Sequence, residues 1–122
     1  MKYMLLTYYN QDFDFASFAN ERPEEVRELI EFMRQLDADL EAAGELAYAE
    51  GLADPSETKT VRPQGGDAVT TDGPYAEAKE VLAGFWVVDV PGFERAAEIA
   101  ARIVRYVKAP IEIRPIGEEP AV

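Results

Sequence analysis

The chain has 122 residues, 48% of them hydrophobic, which suits one compact domain with a core of its own. It contains no cysteine and no histidine, so disulfides, thiol nucleophiles, thiolate zinc sites, serine triads and histidine-based acid–base pairs are excluded. With 24 Asp and Glu against 12 Lys and Arg, its net charge of −12 would repel a nucleic-acid backbone and an anionic membrane surface alike.

Residues 2–9, rich in Tyr, Leu and Met, read as a first strand. No apolar run approaches the ~18 residues of a membrane span, and the short apolar start lacks the long core of a signal peptide. The expectation is a cytoplasmic protein. Residues 10–22 read as a polar loop carrying Phe13, Phe15 and Phe18. A loop of this length is often a lid or binding loop. Alternatively, the rings tuck it onto the body or meet a second subunit.

Pro23 opens a helix, because its missing N–H costs nothing at the first helical position. Val26, Leu29, Ile30, Met33, Leu36, Leu40 and Ala43 give it one apolar face. Gly44 is placed to end it. The opposite face, with Glu31, Arg34, Asp37, Asp39 and Glu41, reads as solvated. Residues 45–52 form a second strand, and Asp54-Pro55-Ser56 a turn. Short strands at 58–63 and 68–71 flank a hairpin turn, Gln64-Gly65-Gly66-Asp67.

Asp72-Gly73-Pro74 breaks the chain, and 75–80 suit one helical turn. Residues 81–90 form the most apolar strand. A second long helix follows Pro91-Gly92, with Phe93, Ala96, Ala97, Ala100, Ile103, Val104 and Val107 as its stripe. A last strand runs through Ile111, Ile113 and Ile116, and Pro115 suits an edge there. The domain therefore spans 1–116, with a flexible tail at 117–122.

The order is β-α-β, an inserted hairpin, then β-α-β: an α+β, ferredoxin-like split βαβ plan. In that plan 2–9 and 81–90 are the middle strands. Two helices cover one sheet face, yet 81–90 is apolar on both. A second copy packed on the open face would make a dimeric α/β barrel, so a homodimer is expected. The inserted segment at 54–80 is the other candidate cover.

The densest group of special residues is Thr71-Asp72-Gly73-Pro74-Tyr75-Ala76-Glu77-Ala78-Lys79-Glu80. Gly73 permits unusual backbone angles, Asp72 suits a cap, and Lys79 lies within reach of Tyr75. As physics alone, this is a well-built turn. With Gly84, Met1-Lys2-Tyr3-Met4-Leu5-Leu6, Glu50-Gly51-Leu52, Thr60-Val61-Arg62 and Ile113-Arg114-Pro115, the group resembles the signature of the DGPF proteins, a branch of the YCII-related family. That family usually has Phe where Tyr75 stands. The resemblance implies a ferredoxin-like fold and a dimeric α/β barrel. It also implies a regulatory or stress setting beside extracytoplasmic-function sigma factors. The histidine–aspartate site proposed for the wider family lacks its histidine here.

Three functions are in view: a ligand-binding module, a small-molecule enzyme, and an interaction protein. In the first, Trp86 and the Phe-rich loop would line a pocket in the barrel cleft. For proton transfer, isomerisation or lactone chemistry, the carboxylate candidates are Asp72, Glu50 and Asp89. Arg62, Lys79 and Arg114 would anchor an anion, and Tyr8 and Tyr75 would donate to a substrate oxygen. No metal or organic cofactor is expected.

Overall fold

A computed structural model describes residues 1–10, 12–75 and 79–118. Six strands and three helices follow in chain order. They are β1 (Lys2–Asn10), α1 (Phe15–Glu21), α2 (Pro23–Ala42), β2 (Leu46–Gly51), β3 (Lys59–Gln64), β4 (Asp67–Asp72), β5 (Glu80–Asp89), α3 (Phe93–Val107) and β6 (Ile111–Pro115). A 3₁₀ turn at Pro55–Glu57 precedes β3.

The chain is α+β. Four strands form one sheet in the order β2-β5-β1-β6, and every pairing in it is antiparallel. The two apolar strands, β1 and β5, take the central places. β3 and β4 form a separate hairpin. Its turn residues Gly65 and Gly66 have φ of 56° and 83°, the left-handed backbone that a two-residue hairpin turn demands. The sheet is open, and no barrel closes within the described residues.

Side-chain alternation divides the sheet. Tyr3 and Leu5 on β1, and Trp86 and Val88 on β5, point into the core with Val90 just beyond. Leu36 and Leu40 of α2, and Ala96, Ile99, Ala100 and Ile103 of α3, meet them. The buried stripe of α3 thus runs through Ile99, whereas Phe93 and Val104 are exposed. The seam at 96, 99, 100 and 103 is narrow, and those two residues fall outside it. Ile30 of α2 is exposed for the same reason.

α2 ends as Gly44 predicts. Gly44 has φ 70°, its N–H reaches Glu41 O at 3.0 Å, and the Glu45 N–H reaches Leu40 O at 2.8 Å. This pair of bonds satisfies the last carbonyls. The bidentate Arg95–Glu45 pair, at 2.7 and 2.8 Å, then ties the entry of β2 to α3.

Two expectations are corrected. The segment 10–22 is not all loop, because 15–21 form a helix. Asp14 caps it by accepting the Ser17 N–H at 3.1 Å and the Ser17 hydroxyl at 2.8 Å. Nor is the charged face of α2 uniformly solvated. Asp37 accepts from Trp86, and Asp39 pairs with Arg102 of α3 at 2.7 Å. The helical turn expected over 75–80 lies mostly outside the described residues, and Glu80 belongs to β5.

Candidate functional site

A cavity of about 660 Å³ opens where the helix side of the sheet meets α1, α2 and the end of α3. Its floor is Thr7 and Tyr9 of β1, Ala49 and Gly51 of β2, and Gly84 and Trp86 of β5. Leu29, Met33 and Asp37 of α2 form one wall. Phe13, Phe15 and Phe18 form another, and Val107 and Ile111 close the far side.

Local irregularity shapes that floor. Thr7 pairs with Gly84 but Tyr8 with Leu82, so Ala83 is an extra residue on β5. Such bulges re-aim side chains beside sites. Gly84 is also where two backbones close in. A Cβ there would stand 2.9 Å from Glu50 O and 3.3 Å from Gly51 Cα. The Thr7 hydroxyl donates to Gly84 O at 3.2 Å.

The aromatic wall holds itself in place. Tyr9 and Phe13 centroids lie 5.4 Å apart, and Phe13 and Phe18 5.6 Å, in tilted contacts. Phe13 and Phe15 stay partly exposed. Burial raises the Tyr9 hydroxyl above its ordinary range, and the charge of Asp54 adds to the shift.

Few polar side chains reach this space. The Trp86 indole N–H donates to Asp37 Oδ1 at 3.0 Å, which fixes the carboxylate against the floor. Asp54, on the rim, accepts the Ser56 N–H at 2.9 Å. Each carboxylate has acceptor capacity left over.

The residues singled out from sequence divide between four places. Trp86 is in the cavity. Tyr8 and Glu50 border it along their strands, but alternation sends their side chains to the other sheet face. There the Tyr8 hydroxyl donates to Glu112 at 3.1 Å. Burial raises the Tyr8 hydroxyl, and the Glu112 carboxylate raises it further. Arg114 lies on that face also, opposite Met4.

Asp72, Arg62 and Tyr75 belong to the hairpin end. Asp72 is exposed and pairs with Lys59 at 2.8 Å. Arg62 donates to the Thr71 hydroxyl and to Tyr75 O, each at 3.2 Å, and lies 5.5 Å from the centre of the Tyr75 ring. A smaller depression of about 310 Å³ runs beside Pro74, Tyr75 and Glu80. Lys79 is exposed near it. Asp89 is at the opposite end of β5, 3.4 Å from the terminal ammonium.

Asp37 was hidden among the charges of α2. The available signal was its spacing. Residues 33, 36, 37 and 40 share one helical face, so a carboxylate at 37 sits beside the buried stripe.

The model of the YCII-related domain matches residues 1–119. The chain belongs to the YCII-related family. It is also similar to an uncharacterized protein of Rhizobium meliloti (strain 1021), at 29% identity over 100 residues, 82% of this chain and 77% of that protein. Like the other described helices of this YCII-related chain, α2 is not long and apolar enough to cross a membrane. Among the described residues, no group of acidic side chains is gathered as a metal site would need.

Proposed function

We propose that this YCII-related protein binds a small molecule in the cavity between β1, β5, α1 and α2. The observation that carries the proposal is the cavity itself. Its volume of about 660 Å³ and its aromatic walls, with a few fixed polar groups, are the features of a ligand site. A thermal-shift screen of aromatic acids, amines, alcohols and lactones tests it. At least one compound is expected to raise the melting temperature saturably, as binding to the native state requires. A flat response across all four classes would overturn the proposal.

A second reading is proton transfer at the same place. The Asp37 carboxylate stands against apolar walls, where a bound carbon acid or lactone could meet it. Turnover of a bound compound, lost in Asp37→Asn, separates catalysis from binding alone. A regulatory or stress setting fits the binding reading, since a sensor needs no chemistry.

Self-association belongs to the same proposal. Met4, Leu6, Phe85 and Val87 lie half-buried on the sheet face turned away from α2 and α3. The order β2-β5-β1-β6 supports a ferredoxin-like reading of the sheet. Two such sheets packed face to face would bury these side chains and form a dimeric α/β barrel.

A further inference from the structure

The charge pattern of the cavity identifies its ligand more narrowly. Asp37 and Asp54 line it, and the bonds they accept come from neutral N–H groups, the Trp86 indole and the Ser56 amide. Neither bond supplies a counter-charge. All 12 Lys and Arg of the chain fall within the described residues, and none of them lines the cavity. The chain has no histidine to make up the difference.

An anionic ligand would lose its hydration here and gain no cation in return. It would also approach against the field of a protein with net charge −12. The walls add an attraction of the opposite sense. The faces of Tyr9, Phe13, Phe15, Phe18 and Trp86 carry negative electrostatic potential and favour a cation within reach. Carboxylates beside aromatic rings are the combination that recognises organic ammonium groups.

We infer that the ligand of this cavity is an organic cation, an ammonium group carried on an aromatic or aliphatic body, with its charge between Asp37 and Asp54 and its body against the Phe-rich wall. This rests on the reading of the cavity as a binding site. It excludes carboxylates and phosphates as ligands of the same space.

Matched probes test it. The probes are 2-phenylethylammonium, 2-phenylethanol and 3-phenylpropanoate, with their naphthyl counterparts, titrated calorimetrically into the intact chain at low salt. The ammonium compounds are expected to bind about tenfold or more tighter than the alcohols, and the carboxylates weakest. Added salt should erode the ammonium advantage and leave the alcohols unchanged. Asp37→Asn keeps an acceptor for Trp86 but removes one of the two charges, so the advantage of the ammonium compounds over the alcohols should shrink several-fold. If that variant does not fold, Asp54→Asn is expected to reduce the same preference. Alcohols or carboxylates binding as tightly as the ammonium compounds would overturn the inference and leave the binding site standing. No binding by any probe would overturn the inference, and a flat thermal-shift screen beside it would remove the binding site as well.

Discussion

The indole N–H of Trp86 donates to Asp37 Oδ1 at 3.0 Å, joining the central strand β5 to the middle of α2. Trp86 is 7% exposed, so this donor has little water to fall back on. Asp37→Ala is expected to destabilise the fold by about 1–3 kcal/mol, the cost of leaving a buried donor unsatisfied. Asp37→Asn should cost far less, because its amide oxygen still accepts. Denaturation followed by the fluorescence of Trp86, the single tryptophan, measures both. Equal losses in the two variants would contradict the hydrogen-bond account.

Gly84 allows β2 and β5 to approach at the cavity floor. Gly84→Ala places a Cβ 2.9 Å from Glu50 O, a backbone atom that cannot swing aside. A loss of about 1–3 kcal/mol is expected from the forced separation. Gly117→Ala is the control, since a Cβ there meets nothing within 4 Å. Urea titrations of the two variants should differ clearly. A neutral Gly84→Ala would mean that the strands part without strain.

Glu45 gives the fold a pH dependence. The two hydrogen bonds from Arg95 hold its carboxyl below the usual carboxylate range. A depressed native pKa stabilises the fold above the unfolded value of about 4.3 and is lost as pH falls through the native value. Glu45→Gln should therefore lower stability by about 1 kcal/mol near neutral pH, a modest figure because Arg95 is 42% exposed. The difference from the parent chain should vanish in acid. Melting curves across that range check the sign, and a gap that widened in acid would contradict it.

Much of this architecture is legible in the residues. The apolar character of β1 and β5 foretells their central positions, and Gly44 and Gly65-Gly66 foretell a helix end and a turn. Helix α1 escapes notice because its seven residues are too few to show a period, and its start rests on one capping aspartate. The site is harder to read than the fold. Asp72, Arg62 and Tyr75 are conspicuous in sequence, yet they gather at the hairpin end. Asp37 looks like one charge among many; its spacing beside the buried stripe is the one hint in the sequence, and its acceptance from Trp86 emerges only in the fold. Sequence spacing gives the face of a helix but not which strand residue lies opposite.

The motif and the cavity can be separated by substitution. Asp72 is exposed and its partner Lys59 is exposed too, so Asp72→Asn should change stability by less than about 0.5 kcal/mol. Cavity ligands should bind it as they bind the parent chain. Loss of binding in a folded Asp72→Asn would move the site towards the hairpin.

Self-association has its own variant. Leu6→Asp places a charge in the centre of the open sheet face, opposite Phe85. The parent chain should sediment as a dimer and the variant as a monomer of unchanged circular dichroism. A monomeric parent at micromolar concentration would contradict a face-to-face barrel.

The most direct measurement of the binding claim is an amide NMR titration with the tightest compound from the screen. Trp86 contributes a single indole N–H signal, and that proton lies in the bond to Asp37 at the cavity floor. The account predicts saturable shifts at the Trp86 indole and at the amides of Thr7, Tyr9, Leu52 and Gly84. Shifts confined to the β3–β4 hairpin or the open sheet face, with the indole signal unmoved, would contradict it.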